Sequence, residues 1–189
     1  MIENKDKLII IINGKGGSGK DTCVEFVQDA YPKLVFNVST IDPIKRAAMK
    51  IGWAGAKTDK DRKFLADLKQ LSTEYNDYCT QYILNEIELF KATNMKFMFI
   101  HCREPENIRK IESYLTCCPI RYETLLIKRT ETENHTYGNT SDDNVEDYNY
   151  NYTFFNNTKD LDTFRYLFMK FFENIVCSFL FNFSNDYVF

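Results

Sequence analysis

The sequence predicts an α/β domain in which helices cover both faces of a mostly parallel five-stranded sheet. Segments of strand length alternate with amphipathic helical segments along the whole chain. The first segment, KLIIIIN (7–13), is a continuous apolar run, as expected of a strand that is covered on both faces. With 189 residues the chain can form one well-buried domain, and we expect residues 1–189 to be a single domain.

The first half of the chain predicts two strands with helices between them. A helix is predicted in KDTCVEFVQDAY, ended by Pro32, and a second strand in KLVFNVS. The segment IDPIKRAAMKIGW begins a further helix, with Asp42 as its cap and Pro43 in its first turn. The first helix has apolar residues at helical spacing at Val24, Phe26, Val27 and Ala30.

A long helical insertion is predicted at about residues 58–92, with its core between Asp59 and Lys91. Its apolar residues recur in alternating steps of four and three, which makes a narrow seam. We expect one long or bent helix that packs on the domain through this seam. The alternative is a seam that meets another chain, which would give a homodimer. The seam consists of Phe64, Leu68, Leu71, Tyr75, Tyr78 and Tyr82.

The second half predicts three more strands, in KFMFIHC, YETLLIKR and YTFFN. A helix in REPENIRKIESYL would bury Ile108, Ile111 and Leu115. A polar, lid-like acidic loop follows at about residues 130–151. The final helix, DLDTFRYLFMKFFENIV, is strongly amphipathic. Its predicted buried face comprises Leu161, Phe164, Leu167, Phe168, Phe171, Phe172 and Ile175.

Composition excludes several classes of protein. The net charge of -3 does not favour binding to nucleic acid or to a membrane surface. The polar start, MIENKDK, is unlike a signal peptide, and the apolar tail is too short to span a bilayer. No cysteine pair has C-x-x-C spacing, so we expect the six cysteines to be reduced thiols in a cytoplasmic protein.

A glycine-rich segment, GKGGSGK (14–20), joins the first strand to the first helix. Glycines let the backbone turn sharply, and the N–H groups of a helix N-terminus bind phosphate. Lys20 would reach the β- and γ-phosphates of a nucleotide. The pattern G-x-x-x-x-G-K is ordinarily followed by a hydroxyl that contacts Mg²⁺, but here Asp21 takes that place. Because a carboxylate also binds Mg²⁺, the segment predicts a nucleotide site, with Thr22 near the α-phosphate.

Four segments resemble, in order, those of the phage-type deoxynucleoside monophosphate kinases. The loop SGKDT has the Asp that is usual in that family, and the related animal phosphomevalonate kinases carry a similar SGKD. DPIKRA resembles the segment after strand two, and IHCREPENI the end of strand three with its arginine. LLIKR and YTFFNNTKDLDTF resemble strands four and five with the final helix. The resemblance implies a P-loop NTPase-type three-layer α/β/α domain that uses ATP to phosphorylate a small phosphorylated acceptor, such as a deoxynucleoside monophosphate.

The resemblance also implies roles for matching residues. Lys20, Asp21 and Arg103 would be catalytic, with Asp21 as the Mg²⁺ ligand and Arg103 bridging the donor and acceptor phosphates. Lys45 would face the acceptor phosphate, and we add Asp42 and Arg62 as candidate acceptor contacts. The residues implied to hold ATP are Gly14, Lys15, Gly16, Gly17, Ser18, Gly19, Lys20, Asp21, Thr22 and Arg129.

Simpler explanations exist for the candidates outside the loop. Asp42 can be a helix cap, and His101 a packed residue at a strand end. Arg103 can pair with Glu104 or Glu106, although the carboxyl ends of parallel strands are where such folds bind ligands. Exposed helix charges are the ordinary explanation of Lys45, Arg46, Arg62 and Lys69.

Two features depart from the related kinases. They often carry an Asp near the end of strand three, where this chain has His101 and Cys102, so Asp21, Asp42 or Glu104 would have to organise Mg²⁺. Their lids commonly carry arginines, whereas the loop here is acidic and has no Lys or Arg. These departures favour, as a second hypothesis, a nucleotide-binding regulatory or adaptor protein with little turnover. A kinase of another phosphorylated metabolite, such as dephospho-coenzyme A, is a third.

Overall fold

Five strands form one sheet in the spatial order β2-β3-β1-β4-β5. The structure is a computed structural model that describes residues 6–56, 58–130 and 145–181. Every pair of neighbouring strands is parallel, so the predicted mostly parallel five-stranded sheet is confirmed. The strands are β1 (Leu8–Asn13), β2 (Val35–Ser39), β3 (Phe97–His101), β4 (Arg121–Lys128) and β5 (Tyr152–Phe155).

Helices cover both faces of this sheet and make the three layers that the sequence predicted. The described helices are α1 (Lys20–Ala30), α2 (Asp42–Lys50), α3 (Asp59–Asn76), α4 (Tyr78–Ala92), α5 (Pro105–Thr116) and α6 (Leu161–Phe181). One core cluster joins α1 and α6 to the face of β1 that carries Ile10 and Ile12. The other joins α4 and α5 to the face that carries Ile9 and Ile11. The remaining helices, α2 and α3, pack against each other and against α4.

The position of β1 in the middle of the sheet explains why its sequence is continuously apolar. It pairs with β3 on one side and β4 on the other, and both of its faces lie under helices. Leu8, Ile9, Ile10, Ile11 and Ile12 are all 0% exposed. A polar residue at any of these positions would lose its hydration, so the run is continuously apolar.

A buried lysine joins the start of β1 to the end of α4. The Nζ of Lys7, a residue that is only 4% exposed, donates to the backbone oxygens of Phe90 at 2.8 Å, Lys91 at 3.1 Å and Thr93 at 2.6 Å. The last carbonyl groups of a helix lack partners within the helix, and a cation there also opposes the helix dipole favourably. Lys7 therefore caps α4 from a distant part of the chain.

The amphipathic patterns of α5 and α6 have different outcomes. In α5 the predicted face is confirmed, since Ile108, Ile111 and Leu115 are all 0% exposed. In α6 the predicted face is too wide, because Leu161 is 60% and Leu167 44% exposed. A helix that lies on a sheet buries only the stripe facing it. In α6 that stripe consists of Phe164, Phe168, Phe172 and Ile175.

The prediction of one long or bent helix in the insertion is wrong. The chain forms two helices, α3 and α4, separated by Asp77, whose φ of 53° and ψ of 39° are left-handed. The Asp77 carboxylate accepts from Thr80 Oγ1 at 2.9 Å and from Lys110 Nζ at 2.9 Å. Aspartate adopts this conformation more readily than most residues because its short polar side chain can form such local bonds.

The predicted seam does not pack on the domain along its whole length. No residue of α3 is buried, and Leu71, Tyr75 and Tyr78 are 64%, 87% and 43% exposed. The insertion is instead attached through α4, which buries Cys79, Thr80, Ile83, Ile87 and Phe90. Whether the exposed part of the seam meets a second copy of the chain stays a prediction.

The predicted helix cap at Asp42 is also wrong by one position. Ile41 is the capping residue, and Asp42 is the first residue of α2. The Asp42 carboxylate reaches back to the end of β2, where its Oδ2 accepts from the backbone N–H of Ser39 at 2.8 Å. This bond fixes α2 against the carboxyl end of β2.

Part of the predicted acidic loop lies outside the described residues. This applies to residues 131–144, which include Glu131, Glu133, Asp142 and Asp143. The described end of the loop approaches β4, where Lys128 Nζ pairs with Glu146 Oε2 at 2.8 Å. All six cysteines are free thiols. Within the described ranges, no helix is long and apolar enough to cross a membrane.

Candidate phosphate-binding site

The glycine-rich segment lies between the carboxyl end of β1 and the N-terminus of α1, as predicted. Gly14 has a φ of 149°, and a Cβ there would lie 2.3 Å from the carbonyl oxygen of Ile127 in β4. Only a glycine lets the two backbones approach so closely. The first bond within α1 runs from Cys23 N to Gly19 O at 2.9 Å. The N–H groups before it have no partner within the helix and are suited to an anion.

Lys20 is turned into the loop and is only 8% exposed. Its Nζ donates to the carbonyl oxygens of Gly14 and Lys15, the latter at 2.8 Å. A buried ammonium group needs such partners because it has lost its hydration. The loop therefore concentrates positive charge beside the helix N-terminus, where phosphate oxygens would be stabilised.

Ser18 and Asn156 form the buried wall of the loop. Asn156 Nδ2 donates to the backbone oxygen of Ser18 at 2.9 Å, and Thr158 Oγ1 donates to Asn156 Oδ1 at 3.1 Å. The Ser18 hydroxyl is buried and has no hydrogen-bond partner among the described residues. A buried hydroxyl without a partner is costly in a closed core, but it fits a cradle that receives oxygen atoms of a ligand.

Asn13 connects the loop to the end of β3. Its Oδ1 accepts from the N–H of Gly14 at 2.7 Å, and its Nδ2 donates to the backbone oxygen of Arg103 at 3.0 Å. The same Nδ2 donates to the hydroxyl of Tyr150 at 2.6 Å, and that hydroxyl donates to the oxygen of Val145 at 2.8 Å. Asn13 is 0% exposed, so this contact lies within the protein. The backbone of Arg103 is thereby held beside the first glycine of the loop.

His101 lies at the end of β3 and faces the start of α1. Its Nδ1 is 3.5 Å from Asp21 Oδ1, and its side chain is 13% exposed, whereas that of Asp21 is 88% exposed. Burial lowers the pKa of His101 to about 4, so the imidazole is neutral at pH 7. The nearby carboxylates of Asp21 and Asp42 raise this pKa, and the cations Lys20 and Arg103 lower it, by less than burial does.

Four of the predicted site residues lie close enough to His101 for their charges to affect its pKa, namely Lys20, Asp21, Asp42 and Arg103. Glu104, which was a candidate for Mg²⁺, is engaged elsewhere. Its Oε1 pairs with Lys69 of α3. Among the described residues, no three metal-binding side chains form a cluster. Mg²⁺ commonly takes one or two carboxylates together with phosphate oxygens and water, and the exposed Asp21 fits that mode.

The other candidates are more dispersed. Arg129 and Lys15 line a small cavity beside the loop, together with Lys128 and Glu146. Lys45 is half-buried on α2, and Arg62 is exposed in the first turn of α3. No described contact joins the side chain of Lys45 or Arg62 to the loop. Of the remaining predicted residues, Gly17 is exposed at the loop tip, and Gly16 and Thr22 are half-buried.

Sequence reasoning did not assign a role to Asn13, Tyr150 or Asn156. Asn13 and Asn156 could have been recognised from the sequence. Asn13 ends a run of buried apolar residues, and Asn156 directly follows β5 within the segment that carries the family resemblance. A polar residue that ends a buried strand lies at the edge where parallel sheets bind ligands. Tyr150 gave no such signal, because it is one of twelve tyrosines and lies in a polar loop.

Comparison with known proteins supports the fold. No protein-family model matches the chain, and no curated protein matches it in sequence. The fold is similar to that of a candidate kinase from Chloroflexus aurantiacus, with a TM-score of 0.52 and 8% identity over 89% of this chain and 97% of that one. The APS kinase of Mycobacterium tuberculosis, solved in complex with AMPPNP and APS, aligns with a TM-score of 0.44 and 10% identity. This alignment covers 88% of this chain and 98% of that one.

The sheet, the loop and the first of these similarities together define a class. The chain has a three-layer α/β fold with a parallel five-stranded sheet and a glycine-rich loop between the central strand and the first helix, and this fold is similar to that of the candidate kinase. At 8% identity the similarity shows the fold alone.

Proposed function

We propose that the protein is an ATP-dependent phosphotransferase of the nucleoside monophosphate kinase type. The observation that carries the proposal is the position of Lys20 inside a glycine loop whose first residue is bonded, through Asn13, to the turn that holds Arg103. A donor phosphate chain held by the loop would then lie beside an arginine. Phosphoryl transfer depends mainly on such positioning and on charge neutralisation.

On the donor side, the residues from Gly14 to Thr22 would hold ATP, with Lys20 at the β- and γ-phosphates. The unpartnered Ser18 hydroxyl and the N-terminus of α1 support this assignment. Asp21 would supply a carboxylate oxygen to Mg²⁺, which neutralises phosphate charge when it is bound. The neutral imidazole of His101 adds no positive charge next to that carboxylate. Arg129, half-buried beside Lys15, is a candidate contact to the adenine side or to the transferred phosphoryl group.

On the acceptor side, Arg103 would bridge the two phosphate groups, while Asp42, Lys45 and Arg62 are the candidate contacts to the rest of the acceptor. The resemblance to the phage-type kinases favours a deoxynucleoside monophosphate. The chemistry of the site agrees with a phosphate acceptor. A phosphate monoester is largely ionised at pH 7, so its oxygen can attack without a base. A hydroxyl acceptor needs a general base whose pKa lies near the operating pH.

That distinction weighs against a kinase of dephospho-coenzyme A, in which a hydroxyl is phosphorylated. The buried base nearest the loop, His101, has a pKa of about 4 and would be a weak acceptor of a hydroxyl proton. The carboxylate of Asp42 is engaged with the backbone of Ser39. Both observations favour an acceptor whose attacking oxygen is already ionised at pH 7, as in a phosphate monoester.

A nucleotide-binding regulatory protein with little turnover is the second candidate. It is favoured by His101, which stands near the strand end where related kinases place a carboxylate, and by the acidic residues Glu146 and Asp147 in the described part of the loop. Such a protein would bind ATP through the same loop. It would differ only in lacking transfer to an acceptor.

The test is release of ADP from ATP and Mg²⁺ in the presence of a panel of acceptors. The panel contains the deoxynucleoside and ribonucleoside monophosphates, phosphomevalonate and dephospho-coenzyme A, with Lys20→Ala as the matched inactive control. We expect at least one deoxynucleoside monophosphate to stimulate ADP release in the wild type and none in Lys20→Ala. ATP binding without stimulation by any acceptor would favour the regulatory protein instead.

A further inference from the structure

The side chain of Asn13 occupies a position that few other side chains could fill. It accepts from one backbone group, the N–H of Gly14, and donates to another, the carbonyl of Arg103. A backbone N–H can only donate and a carbonyl can only accept, so the orientation of the amide is fixed by its partners. Aspartate has no donor for Arg103, and leucine has neither group.

The two partners of Asn13 belong to the two halves of the proposed site. Gly14 begins the loop that would hold the donor phosphates, and Arg103 is the cation that would contact them from the turn after β3. The strands β1 and β3 are paired in register up to Ile12 and His101, and the last backbone bond between them runs from Cys102 N to Ile12 O at 3.2 Å. Beyond that bond, Asn13 supplies the next connection between the two chain segments.

We infer that Asn13 is a positioning residue, which sets the location of Arg103 relative to the phosphate loop. This inference rests on the proposed function, because it assumes that a nucleotide occupies the loop. The side chain of Arg103 extends from its backbone, so the region that its guanidinium group can reach depends on where that backbone is held. The bond of 3.0 Å from the fully buried amide of Asn13 holds the carbonyl of Arg103 beside Gly14, the first residue of the loop.

Tyr150 provides a way to separate this role from general support of the structure. Its hydroxyl is the third partner of Asn13, and burial raises its pKa, so that it stays protonated. It bonds to Val145 in the segment before β5 and touches neither Gly14 nor Arg103 in the described contacts. Removing this hydroxyl takes away one hydrogen bond of the Asn13 side chain but leaves its bond to the carbonyl of Arg103 in place.

The experiment measures the affinities of AMPPNP and ADP in the presence of Mg²⁺, which requires no acceptor and no turnover. If Arg103 reaches the third phosphate, the wild type binds AMPPNP more tightly than ADP, by about tenfold or more for a charge-assisted hydrogen bond. We expect Arg103→Ala to lower this preference by about tenfold, the contribution of one charge-assisted hydrogen bond, and Asn13→Ala to lower it by most of that amount, whereas the contribution of Lys20 remains in both variants. The double variant should lose nothing further, because both changes remove the same interaction.

Two controls accompany these variants. Tyr150→Phe should retain the preference, although it breaks one bond of Asn13. Lys7→Met should also retain it, while lowering the melting temperature through a change remote from the loop. If Asn13→Ala does not fold, Asn13→Ser replaces it, since a serine can stay beside Gly14 but is too short to bond to Arg103.

The outcomes are distinct. A lowered preference in Asn13→Ala with an unchanged preference in both controls supports the inference. An unchanged preference in Asn13→Ala, with a lowered one in Arg103→Ala, overturns it and leaves the proposed kinase intact. An equal affinity of the wild type for both nucleotides also overturns it, because Arg103 then does not reach the third phosphate. Failure of the wild type to bind either nucleotide overturns the proposed function and the inference together.

Discussion

Replacing Gly19 with alanine tests the geometry of the loop most directly. Gly19 has a φ of 99°, and a Cβ at this position would lie 2.7 Å from Asn156 Nδ2 and 3.1 Å from Phe164 Cζ. The side chain of Asn156 would have to move, and its bond to the Ser18 carbonyl would break. The substitution therefore combines backbone strain with the loss of a buried hydrogen bond.

The two costs can be estimated separately. A left-handed conformation costs a residue with a Cβ about 1–2 kcal/mol. A buried carbonyl that loses its partner costs about 1–3 kcal/mol more. We therefore expect Gly19→Ala to lower the free energy of unfolding by about 2–5 kcal/mol. For a chain of this length that corresponds to a decrease of roughly 4–20 °C in melting temperature.

Gly52→Ala is a matched control. Gly52 has a φ of 100°, and a Cβ there would have nothing within 4 Å, so the variant should carry the backbone strain alone. Its expected loss is about 1–2 kcal/mol. Urea unfolding of both variants, followed by circular dichroism, measures the difference between them. Equal losses in the two variants would refute the contact between the loop and Asn156.

Three further predictions concern single side chains. Asp21→Ala should reduce Mg²⁺-dependent transfer more than nucleotide binding in EDTA, with Asp21→Ser partly active, because the carboxylate is proposed to act through the metal; an unchanged Mg²⁺ titration of turnover would contradict this role. Arg103→Lys should keep the melting temperature and most of the ATP affinity but lower acceptor-dependent ADP release by about 10²-fold, since an ammonium group cannot reproduce a preorganised guanidinium group. Turnover equal to that of the wild type would show that Arg103 is not part of the site. Lys7→Met should lower the free energy of unfolding by about 2–4 kcal/mol, because three backbone oxygens at the end of α4 lose a charged donor. A melting temperature equal to that of the wild type would show that water replaces the lysine as the donor to these oxygens.

The elements that could be predicted from the sequence are those whose pattern has only one structural solution. The run from Leu8 to Ile12 has no polar face, so it must be covered on both sides. In α5, residues Ile108, Ile111 and Leu115 lie on one stripe that the sheet covers. The loop from Gly14 to Lys20 is recognisable because its glycines, its lysine and its flanking elements agree.

The elements that were missed depend on contacts between distant segments. The seam from Phe64 to Tyr82 has the spacing of a packed helix, but spacing does not reveal whether a surface exists to receive it. The left-handed turn at Asp77 depends on Lys110, which is remote in sequence. The role of Asn13 likewise depends on Arg103, which follows it by ninety positions. Local patterns place Asn13 at the end of a buried strand, but they contain no information on which distant residue it bonds to.

The position of β1 in the middle of the sheet has a consequence for synthesis. It leaves the ribosome before its two neighbours, β3 and β4, which end at His101 and Lys128. At about 5–20 residues per second, the wait for Lys128 after Asn13 is roughly 6–23 s. Until β4 is complete, at least one edge of β1 has no partner strand, and β1 is an uncharged, β-branched segment of the kind that aggregates. Production of this protein should therefore depend on chaperones that bind short apolar strands, and slower translation should lower its soluble yield.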